Sequence, residues 1–319
     1  MPIHGSIRRF VIPTAISLFC SVVLAAALAV SAHAQNPQEP YKRIISTAPS
    51  ITEALYAMGL GDRIVAVDRF SRYPKEAQSK PSIGDYVAPN LEVIASFQPD
   101  VVMIPANPIH LQQQLEALHL NVLELNQDGL QRLYDSYRTL GRVTGEPEAA
   151  QKLIDSIQRP LADIRKRVDG LPRTRVMFVV GRTPKRLDGL IVVGQDSYLN
   201  EVIDLAGGEN IFHDASSAYP QVSLEEVLAR NPDVIVDMGD MADTVGVTEQ
   251  QTQGVVDLWS RMSALDAVRN HRVHAVAADI YVVPGPRVVD AVNSFFQMLH
   301  PEVANAKANK KTKHTGGSR

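Results

Sequence analysis

The sequence predicts an α/β protein: two parallel-sheet halves joined by one long helix. Three observations carry that prediction. Short apolar runs alternate with amphipathic segments, an alternation that means parallel strands linked by right-handed crossovers. The segments 90–103 (NLEVIASFQPDVVM) and 223–236 (SLEEVLARNPDVIV) align without a gap. Between them lies an amphipathic stretch, 147–170, long enough to connect two lobes. With 319 residues there is room for two ordinary domains.

The elements follow in order. The β-rich run 43–47 leads through Ala48-Pro49-Ser50 into a helical pattern over 51–58, which Gly59 and Gly61 close. A strand is expected at 64–67. The first repeat copy then supplies a short helix, begun by the N-cap residue Asn90 with Glu92 in its first turn, and a buried strand at 101–104 after Pro99-Asp100. A helix at 109–118, a strand at 121–125 and a helix at 130–144 complete the first half. In 147–170, Leu153, Ile154, Ile157, Leu161, Ile164 and Val168 keep helical spacing, and Gly170-Leu171-Pro172 ends the pattern. Such a helix spans about 35 Å at about 1.5 Å per residue. Pro160 is expected to kink it or break it in two. The second half restarts with a strand at 175–180 and a helix at 198–205 stopped by Gly207-Gly208. The second repeat copy, opened by Ser223 with Glu225 in the first turn, gives a strand at 234–237. A strand at 273–276 and a helix at 287–299 behind Pro284-Gly285-Pro286 finish the fold. The expected organisation is thus a lobe at 41–146, a connecting helix at 147–170 and a lobe at 171–303.

The two ends stand apart. Arg8 and Arg9 precede an apolar run over 10–30, and Ala32-His33-Ala34 supplies small residues where a signal peptidase reads, so residues 1–34 are expected to be a secretory signal. An uncleaved membrane anchor is the alternative. Cys20, the single cysteine, lies inside the run, and Phe19 before it is too large for a lipoprotein cleavage site. The mature chain then has no disulfide, which suits a core large enough to need no staple. Residues 304–319 are rich in Lys, Asn, Thr and Gly without apolar periodicity and are expected to be disordered. Setting aside Arg8, Arg9 and the five tail cations leaves 25 basic against 35 acidic residues over 35–303. That balance offers no basic stripe for nucleic acid.

Catalytic signatures are absent: no H-E-x-x-H, Walker loop or G-x-S-x-G occurs. GLGDRI at 59–64 lacks a third glycine and follows a helix, so it reads as a helix stop. The nine histidines are scattered, against the three or four converging ligands a metal site needs. Trp259 reads as a packing residue. In parallel α/β units a ligand gathers at the carboxyl ends of strands, which points to Pro49, Ser50, Tyr73, Tyr86 and the loop 105–107 with Asn107 in the first half, and to Arg182, Tyr219 and Tyr281 in the second. Ordinary rim packing is the alternative for any single tyrosine.

RIISTAPSITEALYAMGLGDRIVAV, YPKEAQSKPSIGDYVAPNLEVIASFQPDVV, GGENIF, YPQVSLEEVLARNPDVIV and PGPRVVDAV with LHPE together resemble the periplasmic substrate-binding proteins of ABC importers. The similarity is to the helical-backbone (class III) group that carries cobalamin, haem and ferric siderophores, and within it to the cobalamin-binding members. It covers nearly all of 41–303. The resemblance implies two Rossmann-like lobes on one interlobe helix and a ligand in the cleft. It implies no resident cofactor, no catalysis and a monomer that meets a dimeric inner-membrane permease with its ATPase. It further implies that Glu92 and Glu225 dock onto arginine pockets of the two permease subunits; a plain preference of Glu for helix N-termini is the alternative. Tyr73 falls in the family's Tyr-Pro motif, Tyr86 and Tyr219 where cobalamin binders place aromatics, and Arg287 in the Pro-Gly-Pro-Arg motif. Pro105 stands where cobalamin binders often carry tryptophan, and Val283 where arginine often precedes Pro284. These departures keep a haem or ferric-siderophore receptor open, with Tyr73, Tyr86 or His110 toward iron and Arg182 or Arg287 toward acidic ligand groups. A chelatase-like enzyme on the same lobes is the alternative from another class. With a single interlobe helix, closure is expected to be small.

Overall fold

The computed structural model describes residues 39–85, 87–106, 111–239, 246–277 and 279–304. The chain divides into units Met1–Pro40 and Tyr41–Arg319, and the elements named below all lie in the second. The expected signal segment and the basic tail beyond residue 304 fall outside the described residues.

The first sheet has four parallel strands in the order β2 (Ile64–Val67), β1 (Ile44–Ser46), β3 (Val101–Pro105) and β4 (Val122–Leu125). Its crossovers carry helices α1 (Pro49–Ala57), α2 (Leu91–Ser96) and α3 (Leu111–Ala117). Pro49 occupies the first turn of α1, where a missing N–H costs nothing. Helices α4 (Leu130–Thr144) and α5 (Pro147–Val168) follow.

The second sheet contains β5 (Thr174–Gly181), β6 (Leu190–Val192), β7 (Gly208–Asn210), β8 (Gln221–Val222), β9 (Val234–Asp237) and β10 (Val273–Ala275). Its core, β10-β9-β5 with β7 beside β5, is parallel. β6 and β8 pair antiparallel at the other edge, so this sheet is mixed rather than wholly parallel. The chain after β5 turns back directly, with Lys185 and Gly189 at positive φ, and a reversal that short can only give an antiparallel partner. The helices of this half are α6 (Tyr198–Leu205), α7 (Leu224–Arg230), α8 (Glu249–Ser260), α9 (Asp266–Arg269), α10 (Asp279–Val282) and α11 (Val288–Leu299).

The two repeat copies fold alike. Asn90 accepts from the Val93 amide and Ser223 from the Glu226 amide, capping α2 and α7. Each copy's aspartate then caps the opening strand of its own sheet: Asp100 accepts from the Lys42 and Arg43 amides, and Asp233 from the Arg175 amide. The same arginines reach back to the helix ends, Arg43 to the Phe97 and Gln98 carbonyls and Arg175 to the Arg230 and Asn231 carbonyls. Gln98 and Asn231, at aligned positions, both take positive φ, which turns those carbonyls toward the arginines. Much of the repeated sequence therefore serves one device that ties a helix C-terminus to the first strand of each half.

Helix α5 runs unbroken through Pro160, so of the expected kink or break the break does not occur. Pro160 lies at the partly exposed edge of the stripe on which Leu153, Ile154, Ile157, Leu161 and Ile164 are buried. Each such side chain stabilises by about 1.5–3 kcal/mol, enough to outweigh the one hydrogen bond that proline forgoes. The helix packs against α4 of the first half and against α6 and α11 of the second. Gly141 lets α4 and α5 touch: a Cβ there would stand 2.7 Å from that of Ala150. One apolar core consequently continues from Ile44 and Leu55 through α5 to Phe178 and Phe296. A polar contact also joins the halves, since Glu201 of α6 accepts from the Leu130 amide at 2.8 Å and caps α4, whose own N-cap is Gly129.

Candidate functional site

At the carboxyl edge of the first sheet a buried polar network fixes the chain after β1 and β2. Thr52 hydrogen-bonds Ser46 and Ser71, both at 2.8 Å; Ser71 donates to Asp68, whose other oxygen accepts from the Phe70 amide at 2.8 Å. Burial raises the Asp68 carboxyl from an ordinary 3.8 to about 6, against the lowering effect of its hydrogen bonds. The folded protein thus holds this proton more tightly than the unfolded chain. The group's contribution to stability is complete below pH 4 and declines as pH rises through 6, at about 1.4 kcal/mol per pH unit between the two values. Denaturant midpoints from pH 4 to 7 should fall relative to those of Asp68→Asn over that window; parallel curves would contradict the assignment.

This network anchors the segment that ends at Tyr73, which is 50% exposed. The Arg287 guanidinium lies over the ring, 4.3 Å from its centroid. Arg287, at the N-cap of α11 in the second half, donates Nε and Nη2 to Glu53 of α1 at 3.0 and 2.5 Å. Both side chains of this pair are shielded, at 12% and 2% exposure. That edge of Arg287, expected to face a ligand's acidic groups, is turned to Glu53 in this structure. Glu53, an acid on the buried stripe of α1, was not among the residues the sequence singled out, although a lone charge inside SITEAL is the signal that marks it.

Pro49 and Ser50 stand where expected, at the start of α1. Ser50 Oγ donates to Gln127 Oε1 at 2.5 Å, in the loop after β4. Gln127 Nε2, Thr47 Oγ1 and the Tyr137 hydroxyl are buried without a hydrogen-bond partner among the described residues. The Tyr137 phenol is held well above its usual range by burial and then by the Glu53 carboxylate. Tyr198, also not anticipated, donates to the Tyr281 carbonyl; burial raises its phenol well above the usual range, Tyr219 and Glu53 add to this and Arg287 opposes it. Tyr198 therefore marks where residues of both halves meet.

In the second half, Tyr219 is 48% exposed. Tyr281 is 3% exposed: its ring meets Phe178 and Phe295 edge-on at 5.6 Å each, and its hydroxyl donates to Ser294 at 2.6 Å. Tyr281, expected as a ligand contact, packs in the core here. Arg182 is likewise buried, donating Nε to Asp237 at 3.0 Å, and Asp237 also accepts from Trp259 Nε1 at 2.6 Å. Arg182, expected as a ligand contact, is engaged here in an internal ion pair, and Trp259 packs as expected. Tyr86, Asn107 and His110 lie outside the described residues.

Glu92 and Glu225 are exposed in the first turns of α2 and α7 and make no ion pair or side-chain hydrogen bond among the described residues. Glu226, next to Glu225, is instead paired with Arg230 at 3.1 Å. Among the described residues no group of three or more His, Cys, Asp or Glu side chains could hold a metal ion, and no helix is long and apolar enough to cross a membrane.

Residues 44–279 match the family model described as periplasmic binding protein. A vitamin B12-binding protein of Vibrio cholerae serotype O1 is 33% identical over 256 residues, 79% of this chain and 87% of that one. An uncharacterized ABC transporter substrate-binding lipoprotein, YvrC of Bacillus subtilis, is 28% identical over 270 residues, 83% and 82% of the two chains. Among solved structures, the periplasmic vitamin B12-binding protein BtuF of Vibrio cholerae superposes with a TM-score of 0.68 at 30% identity, covering 81% of this chain and 96% of that one.

Proposed function

The chain belongs to the periplasmic binding protein family, and from that premise we propose that it is the substrate-binding component of an ABC importer whose cargo is a cobalamin-like corrinoid. It captures the ligand and hands it to an inner-membrane permease driven by a separate ATPase; its own work is binding. Export to the periplasm, with residues 1–34 removed, completes this reading.

The observation that carries the ligand class is the pair of half-exposed tyrosine rings, Tyr73 on the first half and Tyr219 on the second. Tyr134, Tyr137 and Tyr281 are buried, whereas these two residues are about half exposed, and an exposed aromatic ring suits a large planar macrocycle better than a small ion. The kinship with vitamin B12-binding proteins points the same way. The Gln127 amide, which has no hydrogen-bond partner among the described residues, supplies a polar group at the same sheet edge. The shared core along α5 supports a largely pre-formed cleft with small closure.

A chromophore-retention assay tests the ligand class. The purified protein, mixed separately with cyanocobalamin and haemin and then desalted, should keep about one equivalent of corrinoid. Retention of haemin alone would move the cargo to the iron chelates, and retention of neither would overturn the reading.

A further inference from the structure

The guanidinium of Arg287 has two kinds of surface, and the structure uses both for internal contacts. Its Nε/Nη2 edge grips Glu53, and one face covers Tyr73. Glu53 and Tyr73 belong to the first half, whereas Arg287 belongs to the second. The loop that delivers Arg287 is pressed against α1: a Cβ on Gly285 would lie 3.3 Å from Glu53 Oε2 and 3.6 Å from the Ser50 Cα. Pro284 and Pro286 flank that glycine and restrict the loop further. With its carboxylate and its stacking partner both fixed, the guanidinium plane has little freedom. Tyr73, covered on one ring face by Arg287, is 50% exposed as a residue.

We propose that Glu53 and Arg287 form a positioning pair that holds Tyr73 as a pre-oriented stacking platform for the ligand, so that the platform on one half is set by a residue of the other. The ligand arm of this proposal rests on the corrinoid reading above; the orientation of the ring does not. A platform fixed before binding avoids the ordering cost that a free ring would incur. Because the carboxylate contact is bidentate and the stacking contact is planar, lysine cannot replace Arg287 in either role. A displaced platform and a displaced loop 284–286 are then one event, which couples stacking on Tyr73 to the second half.

Two measurements test this. First, 3-fluorotyrosine placed at position 73 of the full chain reports the ring's surroundings by its fluorine resonance without any ligand. The line should stand apart from that of the unfolded protein, shift toward it in Arg287→Lys and Glu53→Gln, and stay in place in Asp290→Asn, an exposed control on the same helix. A line unmoved by either substitution in protein that remains folded by circular dichroism would overturn the proposal. Second, cyanocobalamin affinity is measured for Tyr73→Ala, Arg287→Lys and the double variant. Loss of the platform should weaken binding about tenfold, the upper range for an aromatic stacking contact. Arg287→Lys should weaken it several-fold, and the double variant should bind no worse than Tyr73→Ala alone. Additive losses would mean that Arg287 acts independently of Tyr73 and would refute the positioning role. If the parent protein binds no cyanocobalamin, the ligand reading fails while the fluorine experiment still decides the orientation of the ring.

Discussion

Replacing Asp237 with alanine should destabilise the fold by about 3–5 kcal/mol, the range for removing one partner of a buried ion pair. Asp237 ends β9 with no exposure, and the Arg182 side chain beside it is 3% exposed. The carboxylate balances that cation and also accepts from Trp259, itself fully buried. Alanine leaves the guanidinium without its carboxylate and the indole N–H without its acceptor. Water cannot readily replace them, because the Gly239 backbone closes over the pair: a Cβ there would fall 2.5 Å from Arg182 Nη2 and 2.6 Å from Asp237 Oδ1. Denaturant unfolding of the single variant gives the cost directly. Exchanging both partners for apolar residues, as in Arg182→Met with Asp237→Leu, should recover much of it, since the desolvation of two charges is then avoided. A loss below about 1 kcal/mol in Asp237→Ala would mean that solvent reaches the pair.

Removing Glu92 and Glu225 together should abolish uptake through the permease and leave ligand affinity within a factor of about two, because rim charges act on encounter and docking rather than on a distant site. The two carboxylates occupy the same position in the two repeat copies, are exposed, and make no ion pair among the described residues, whereas neighbouring Glu226 is spent on Arg230. If each meets a desolvated arginine on the permease, losing one contact costs about 2–5 kcal/mol and losing both weakens docking at least a hundredfold or so. Charge reversal on permease arginines should restore uptake in part to lysine variants of these positions. A fall in ligand affinity would instead place the carboxylates in the binding site and remove the docking assignment.

Local signals in the sequence carried most of the architecture. The N-caps Asn90 and Ser223, the Pro-Asp stops and the apolar spacing of 147–170 each act over a few residues, and each formed the element it predicted. What local spacing could not carry was partnership. The antiparallel edge of the second sheet rests on strands of three and two residues, too short to show a period. Arg182 read as a cleft cation because Asp237 stands 55 positions away, and Arg287 because Glu53 stands 234 away. Tyr281 lies beside the Pro-Gly-Pro loop in sequence, but inward or outward is decided by α10, which holds the ring against Phe178 and Phe295. The repeat itself had two meanings. Its aspartates and helix ends serve the strand-opening arginines, a purely architectural role, and only the exposed first-turn glutamates remain for a partner.

The central claim is that a corrinoid lies against the carboxyl edges of both sheets, stacked on the open face of Tyr73. The most direct measurement is a crystal structure of the protein grown with cyanocobalamin. The ring system should appear against Tyr73, with Arg287 still behind it on Glu53 and Tyr219 approaching from the second half. Density for the corrinoid elsewhere on the surface, or a bound ring with Tyr73 swung away from Arg287, would contradict the account.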